Sequence, residues 1–534
     1  MIIIALLAVI LPLILLAFMN LPAAKGMAIS SAVVLVAAYF IWHVKPIVLG
    51  ASILQGIHKT IPILWILFGA LMMLEVLRYT GAIQRINEGF QALTSDVRIL
   101  IIVIAYLFGG LIEGVSGFGT PAMVTAPLMI ALGFNPMAAV TIALVSDSTT
   151  ASFGAVGTPL TVGLSNVATG PDFINHIGQT VVALDLTAGT FMPLILIFML
   201  TRFFGDAESK NKGRDLLEMA PWALFIGVLY SLVAIASVNL VGYEFTSILT
   251  PLVMLVVAMV TIKFNFLLPK TVRENPWRAA LKVEKTGKTP KTSMSLLTAW
   301  APYLLVVILL LLSRTVAPLK AFLTTYVDLS WTHILGLKTI SSDWQFLYSP
   351  GTILTVAALL GLLIQVRSIK PFAKAAKSVG SGMGVTGFTL CVTLIMVQVF
   401  SNSGFNTAQL ASMPTYIAET ISQYTAGVWV FIAPFLGELG AFITGSATVS
   451  TLTFSPIQFD VAKHAHLNVN VILAAQVIGA AAGNMICVHN IVAASAVVGL
   501  GGNEGAILRK TILPAVIYGV LLGITGFVWL AWLT

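Results

Sequence analysis

Five ionisable side chains interrupt stretches that are otherwise almost wholly apolar: Glu113, Asp147, Asp185, Glu438 and His489. A charge at the centre of a bilayer costs about 2.5–3.5 kcal/mol on insertion scales, so such a residue marks an ion or substrate path unless a structural partner accounts for it. Glu113 and Glu438 each stand just before a run of Gly, Ser and Thr, in FGGLIEGVSGFGTPAMVTAPL (108–128) and FLGELGAFITGSATVSTLTF (435–454). About 30 residues past each run comes a second interrupted segment, VSDSTTASFGAVGTP (145–159) in the first half and VIGAAAGNMICVHNIVAASA (477–496) in the second. A carboxyl that takes and releases a proton in such a place couples transport to a proton gradient. Glu113 and Glu438 are the favoured proton-coupling groups, with Asp147 and His489 beside them. Asp185 lies away from the broken segments and reads as structural, and Glu75 with Arg78 reads as a local helix pair.

Glycine, proline and hydroxyl residues at membrane depth break helices, and lipid cannot satisfy the freed N–H and C=O groups. Such breaks persist only where they line a cavity or are buried in protein. Paired breaks at matching places in two halves point to a binding site near the midplane. Helix N-termini there offer free N–H groups and a positive dipole end, which bind anions without a cationic side chain. The candidate substrate-binding groups are Ser116, Gly117, Gly119 and Thr120 at one tip, with Thr444, Gly445, Ser446 and Thr448 at the other. The broken segments add Ser148, Thr149, Thr150, Gly154 and Thr158, then Gly483, Asn484 and Asn490. None of the four stretches holds a Lys or Arg, which suits a small, singly charged anion. Ser146, Asp147 and Ser148 form an alternative Na⁺ site. A hydrolytic triad from Ser146 or Ser148, Asp147 and His489 lacks any nucleophile-elbow sequence. A passive anion channel and an inorganic-anion carrier remain the alternatives to an organic-anion carrier.

The elements that hold these groups must be membrane helices. The chain has 534 residues, 58% hydrophobic and 9% charged, against about 25% charged in soluble domains. A span needs roughly 20 mostly apolar residues. Twelve crossings are expected, at about 1–19, 27–43, 60–80, 135–165, 176–203, 218–238, 244–262, 298–315, 350–366, 379–401, 467–500 and 511–533. Two re-entrant hairpins are expected at 98–132 and 427–464. The apolar N-terminus has no basic region before it and reads as a first span rather than a cleaved signal. With the N-terminus outside, 22 of the 28 basic residues fall on the cytoplasmic side, eight of them in the loop 263–293, as the positive-inside rule requires. The +8 net charge therefore reads as topology, not as a nucleic-acid surface. Cys391 and Cys487 sit in apolar segments and imply neither disulfide nor metal, and no cofactor is called for.

The expected fold is thus an all-α integral membrane protein with one polytopic domain over 1–534. Residues 1–240 form a first inverted repeat with hairpin 98–132 and broken helix 135–165. Residues 241–349 connect it to a second, 350–534, with hairpin 427–464 and broken helix 467–500. Seven crossings separate the hairpins, an odd number, so the halves are expected to be inverted.

The run LIEGVSGFGTPAMVTAPLMIALGFNP resembles the signature of the L-lactate permease family, and ASFGAVGTP, FLGELGAFITGSATVS and AASAVVGLGGNE resemble its later motifs, in order along nearly the whole chain. The resemblance implies a multi-pass inner-membrane symporter of lactate or glycolate with protons, whose partners are the anion, the proton and the bilayer. The wider ion-transporter superfamily implies inverted repeats, re-entrant hairpins, and often homodimers with elevator-type movement. Two positions depart from the pattern. Ala447 stands where an Asp often follows the Gly-Ser of the second tip, and Asn484 where a Lys often follows the late Gly. An opposite pair lost together leaves no unpaired buried charge.

Overall fold

Apolar composition and helix punctuation build a computed structural model that is helical almost throughout. It describes residues 1–19, 21–94, 96–117, 119–167, 170–205, 212–269, 294–425 and 428–533. Most of the basic loop 263–293, together with Lys210, Phe118 and the first residue of the 427–464 hairpin, lies outside the described residues. Residues 2–18 form short α and π turns. Helices α1 (Ala23–Phe40), α2 (Pro46–Thr80) and α3 (Ala82–Leu93) follow. The first hairpin has arms α4 (Val97–Ser116) and α5 (Thr120–Ala131). The first broken helix is α6 (Pro136–Ala151) and α7 (Gly154–Thr161), bent by 55°. Then come α8 (Pro171–Phe204), α9 (Lys212–Leu240), α10 (Tyr243–Lys263), α11 (Leu296–Thr315) and α12 (Ala317–Thr325). The second half runs through α13 (Pro350–Val366), α14 (Lys370–Gly382), α15 (Gly384–Ser401) and α16 (Met413–Thr425). Its hairpin is α17 (Trp429–Thr444) and α18 (Ala447–His464), its broken helix α19 (Val469–Gly483) and α20 (Val488–Val497), and α21 (Glu504–Leu533) ends the fold.

Among the described residues ten helices are long and apolar enough to cross a membrane, or up to eleven if the bent pair counts as one span. The first hairpin arm is among the ten. The expected crossings 1–19 and 350–366 are not, because one is split into short turns and the other is a 17-residue helix. The expected crossing 60–80 starts earlier, at Pro46, where proline fits the first helical turn. Its extra turns carry polar side chains that the fold satisfies: Lys59 Nζ donates to Gln398 Oε1 at 3.1 Å, and Gln55 Nε2 to the Ser341 carbonyl at 2.7 Å. Residues 370–382 form a separate amphipathic helix rather than the start of a crossing.

The two halves repeat one order of elements: amphipathic helix, hairpin, broken helix, long helix. Val97 and Trp429 open the hairpins, Pro136 and Val469 the broken helices, Pro171 and Glu504 the long helices, at separations of 332, 333 and 333 residues. Helix α2 packs along α13 and α15, while α8 and α21 cross and both lie against the broken helices. Caps place the breaks: Asn135 Oδ1 accepts from Met137 N at 2.9 Å, and Asn468 Oδ1 from Asn470 N at 3.0 Å.

A buried ion pair anchors the first hairpin. Arg98 and Asp96 are 0% and 3% exposed, with Nη2 and Oδ2 2.5 Å apart, and Arg98 Nη1 donates to the Asp215 carbonyl of α9 at 2.7 Å. Removing one partner of a buried pair costs about 3–5 kcal/mol, because the other charge is stranded. Asp96→Ala is therefore expected to lower the unfolding temperature of the purified protein sharply. Glu75→Ala, which breaks the exposed 3.1 Å pair with Arg78, is expected to leave it nearly unchanged.

Candidate functional site

Each hairpin turns where only an unusual backbone allows it. Gly117 lies at φ 64° and ψ −163° and Gly119 at φ 71°, regions that L side chains avoid. The second tip turns at Gly445, φ 70°, and restarts at Ser446, whose hydroxyl accepts from Val449 N at 3.3 Å. The first broken helix turns through three consecutive left-handed residues, Ala155, Val156 and Gly157, at φ 47°, 59° and 76°. A β-branched residue in that region is strained, and surrounding structure must hold it there.

These breaks meet. A Cβ on Gly117 would press on Ala155 of its own half of the chain, and one on Gly119 on the Asn490 amide of the other half. A Cβ on Gly445 would strike the His489 ring of its own half, while Thr448 Oγ1 lies 3.3 Å from Thr158 Oγ1 of the other. Each tip thus touches both broken helices. Between them is a tight cavity, with room for about one water-sized guest, lined by Glu113, Gly117, Gly154, Thr158, Gly445, Ser446, Thr448 and Asn484 from the expected set. Ala151, Ala155, Pro159 and Ala447 complete the wall. Among the described residues no Lys, Arg or His lines it. Both positions that depart from the family pattern, Ala447 and Asn484, face this one cavity.

Glu113 is the carboxyl at the wall. It lies against Gly154 and within hydrogen-bonding reach of the Asp147 carboxyl, which stands behind it. Glu113 Oε2 and Asp147 Oδ1 are buried without a hydrogen-bond partner, as are the side-chain oxygens of Thr120, Asn484 and Asn490. Ionised carboxylates only accept, so two buried side by side favour a proton held between them.

Several expected site residues turn elsewhere. Ser116 donates to the Ile112 carbonyl at 2.7 Å, Thr444 to Gly440 at 2.8 Å, Ser146 to Ala143 at 2.9 Å, Ser148 to Val145 at 2.9 Å and Thr150 to Asp147 at 3.1 Å. The Ser146–Asp147–Ser148 trio therefore spends its hydroxyl protons inside its own helix, with Asp147 turned to Glu113. Thr149 faces Tyr518 at 3.4 Å on the far side of the break. A Cβ on Gly483 would collide with Glu438 and Ala441 backbone and side-chain atoms, so Gly483 serves a close helix contact. Glu438 does not reach the wall: its carboxyl lies against Gly519 of α21. It precedes its tip glycine by seven residues, about 10 Å of helix, whereas Glu113 precedes Gly117 by four, about 6 Å. Among the described residues no three His, Cys, Asp or Glu side chains converge as metal ligands.

Arg314 is a residue that the motif reading passed over. Its guanidinium stacks 3.5 Å from the Tyr348 ring centre, and its Nε lies 3.4 Å from the Val115 carbonyl, beside the first tip. The signal was a lone arginine closing an apolar helix.

Known proteins are similar to this chain in sequence along nearly its whole length. The L-lactate permease of Bacillus subtilis is 28% identical over 512 residues, 89% of this chain and 86% of that one. The glycolate permease of Escherichia coli is 26% identical over 495 residues, 87% and 83%. The YdaH transporter of Alcanivorax borkumensis, a crystal structure, covers 89% of this chain and 86% of its own at 14% identity, with a TM-score of only 0.31. The family model described as L-lactate permease matches residues 1–533. With that match and its membrane-length helices, the chain is a multi-pass membrane transporter, not an enzyme, and belongs to the L-lactate permease family.

Proposed function

We propose that this protein is a secondary active carrier of a small monocarboxylate of the lactate–glycolate class, working by proton symport and alternating access. The observation that carries the reading is the convergence of two tips and two broken helices, from sequence positions over 300 residues apart, on one small cavity without cationic side chains. A carboxylate there is held by backbone N–H groups at helix starts, by the Ser446 and Thr448 hydroxyls, and by the Asn484 amide. The names of its relatives, permeases for L-lactate and for glycolate, favour that substrate class.

In this reading residues 1–240 and 350–534 are inverted repeats joined by 241–349, and the hairpins are re-entrant from opposite faces. Two related halves of opposite orientation give two states of similar energy, which is what alternating access uses. The Glu113–Asp147 pair supplies the coupling. Anion and proton enter together, because an added negative charge beside Glu113 favours a proton on the pair. His489, packed on the second tip, and Glu438, behind it, are the further proton-handling candidates.

The test is uptake of labelled lactate, glycolate, pyruvate and acetate into proteoliposomes, with proton and sodium gradients imposed separately. Saturable uptake of at least one, driven by an inward proton gradient, is expected; non-saturable flux indifferent to the gradient would sink the carrier reading. Glu113→Gln is expected to abolish gradient-driven accumulation while still exchanging internal for external substrate, since a permanently neutral side chain mimics the protonated carrier. Gly445→Ala is expected to lower uptake and stability together, through the left-handed φ, roughly 1–2 kcal/mol, and the His489 ring in its way. Gly499→Ala, at φ 72° with open space around it, is the control that carries the backbone cost alone.

A further inference from the structure

A second polar cavity lies on the other side of the first broken helix, walled by α6, α8, α9 and α10. Its oxygen-bearing wall consists of Asp185, Thr149, Ser231, Thr246, Ser247 and Thr250, all buried. The space admits a single water-sized guest.

The direction of the hydrogen bonds decides what that guest is. Ser247 donates to the Thr150 carbonyl at 2.7 Å, Thr246 to the Gly242 carbonyl at 3.2 Å, and Thr250 to Ser237 Oγ at 3.5 Å. The Tyr518 hydroxyl donates to Asp185 Oδ1. Its proton being so committed, the 3.4 Å contact between Thr149 and Tyr518 has Thr149 as donor. Ser231 shares a proton with Thr190 at 3.0 Å. A hydroxyl has one proton and two lone pairs, so Ser247, Thr246, Thr250 and Thr149, their protons directed outward, present lone pairs beside the Asp185 carboxyl, and Ser231 does so when it donates to Thr190. Tyr230 also reaches the wall, and a phenol turns its oxygen towards a cation as readily as its proton towards an acceptor. Among the described residues no Lys, Arg or His lines the cavity.

We propose that this cavity is a binding site for one small monovalent cation, sodium, with Asp185 supplying the charge and the surrounding hydroxyls the remaining oxygens. A single carboxylate balances one positive charge, whereas Ca²⁺ sites gather several carboxylate and carbonyl oxygens and Mg²⁺ keeps a shell of waters. The position gives the cation leverage. Asp185 and Tyr518 are 333 residues apart, the separation of the starts of α8 and α21, so they are equivalent positions of the two halves and meet where those helices cross. Thr149 and Thr150 belong to the broken helix whose other face lines the substrate cavity. Occupancy therefore ties the crossing to the break. The site is separate from the Glu113–Asp147 pair and requires no particular substrate.

The test is thermal unfolding of the purified full-length protein, without any carboxylate substrate, in NaCl, KCl and choline chloride at equal ionic strength. A ligand bound only by the folded state raises the unfolding temperature as its concentration passes the dissociation constant. NaCl is expected to raise it saturably, and KCl and choline chloride are not. Asp185→Asn is expected to lose the sodium-specific shift, Ser231→Ala to need roughly five- to tenfold more sodium for the half-maximal shift, and Glu113→Gln to retain it in full. Equal unfolding temperatures in the three salts would overturn the proposal, as would an unchanged sodium midpoint in Asp185→Asn. Should Asp185→Asn not fold, an unchanged midpoint in Ser231→Ala overturns it instead. With no carboxylate present, a wrong substrate assignment leaves this outcome untouched, and absence of the shift leaves the carrier reading untouched.

Discussion

A peptide group freed from its helix within hydrocarbon has no water to turn to, and each one left unpaired costs several kcal/mol. This chain breaks its backbone at 117–119, 152–157, 445–446 and 484–487, and the rest of the architecture follows from the need to bury those four breaks. They are buried in one another. The first tip rests on Ala155 and Asn490, and the second on His489 and Thr158. Neither half can close its own breaks without the other, so the cavity between them is a consequence of the packing that makes the breaks tolerable. The same logic explains why glycine sits at 117, 119 and 445: positive φ is needed at each, and each backbone approaches a neighbour closely.

Repetition of element order does not carry repetition of chemistry. The first half brings Glu113 and Asp147 to the centre, while the second brings amides, Asn484 and Asn490. Acid on one side and neutral donors on the other give the cavity a polarity that two identical halves could not have. The same asymmetry holds where the long helices cross, with Asp185 on one and Tyr518 on the other. A carboxyl facing a phenol at equivalent positions is a satisfied pair, whereas two carboxyls would compete for a proton and two phenols would leave no charge. Large polar groups are thus added singly to a scaffold whose two halves are otherwise matched.

Much of this was legible in the linear chain. Composition and the spacing of apolar runs determine a membrane bundle, because so few charges cannot cover a water-exposed surface. Gly, Pro and hydroxyl clusters at matched intervals determine where helices break, because their backbone and hydrogen-bonding preferences act locally. Hence seven of the sixteen expected substrate-binding positions line a single cavity, with Glu113 beside them in its wall. What the chain alone did not settle is direction. Whether Ser148 or Thr150 faces the cavity or bonds back into its own helix depends on which neighbour lies beside it. Glu113 and Glu438 look alike in sequence, yet one reaches the cavity and the other faces Gly519, because a difference of three residues in distance from the tip moves a side chain by most of a helical turn. Asp185, without a break beside it, appeared merely structural. Its meeting with Tyr518 joins residues 333 positions apart, and only the tertiary crossing of two helices makes that pair, since no local preference encodes a contact at such a separation.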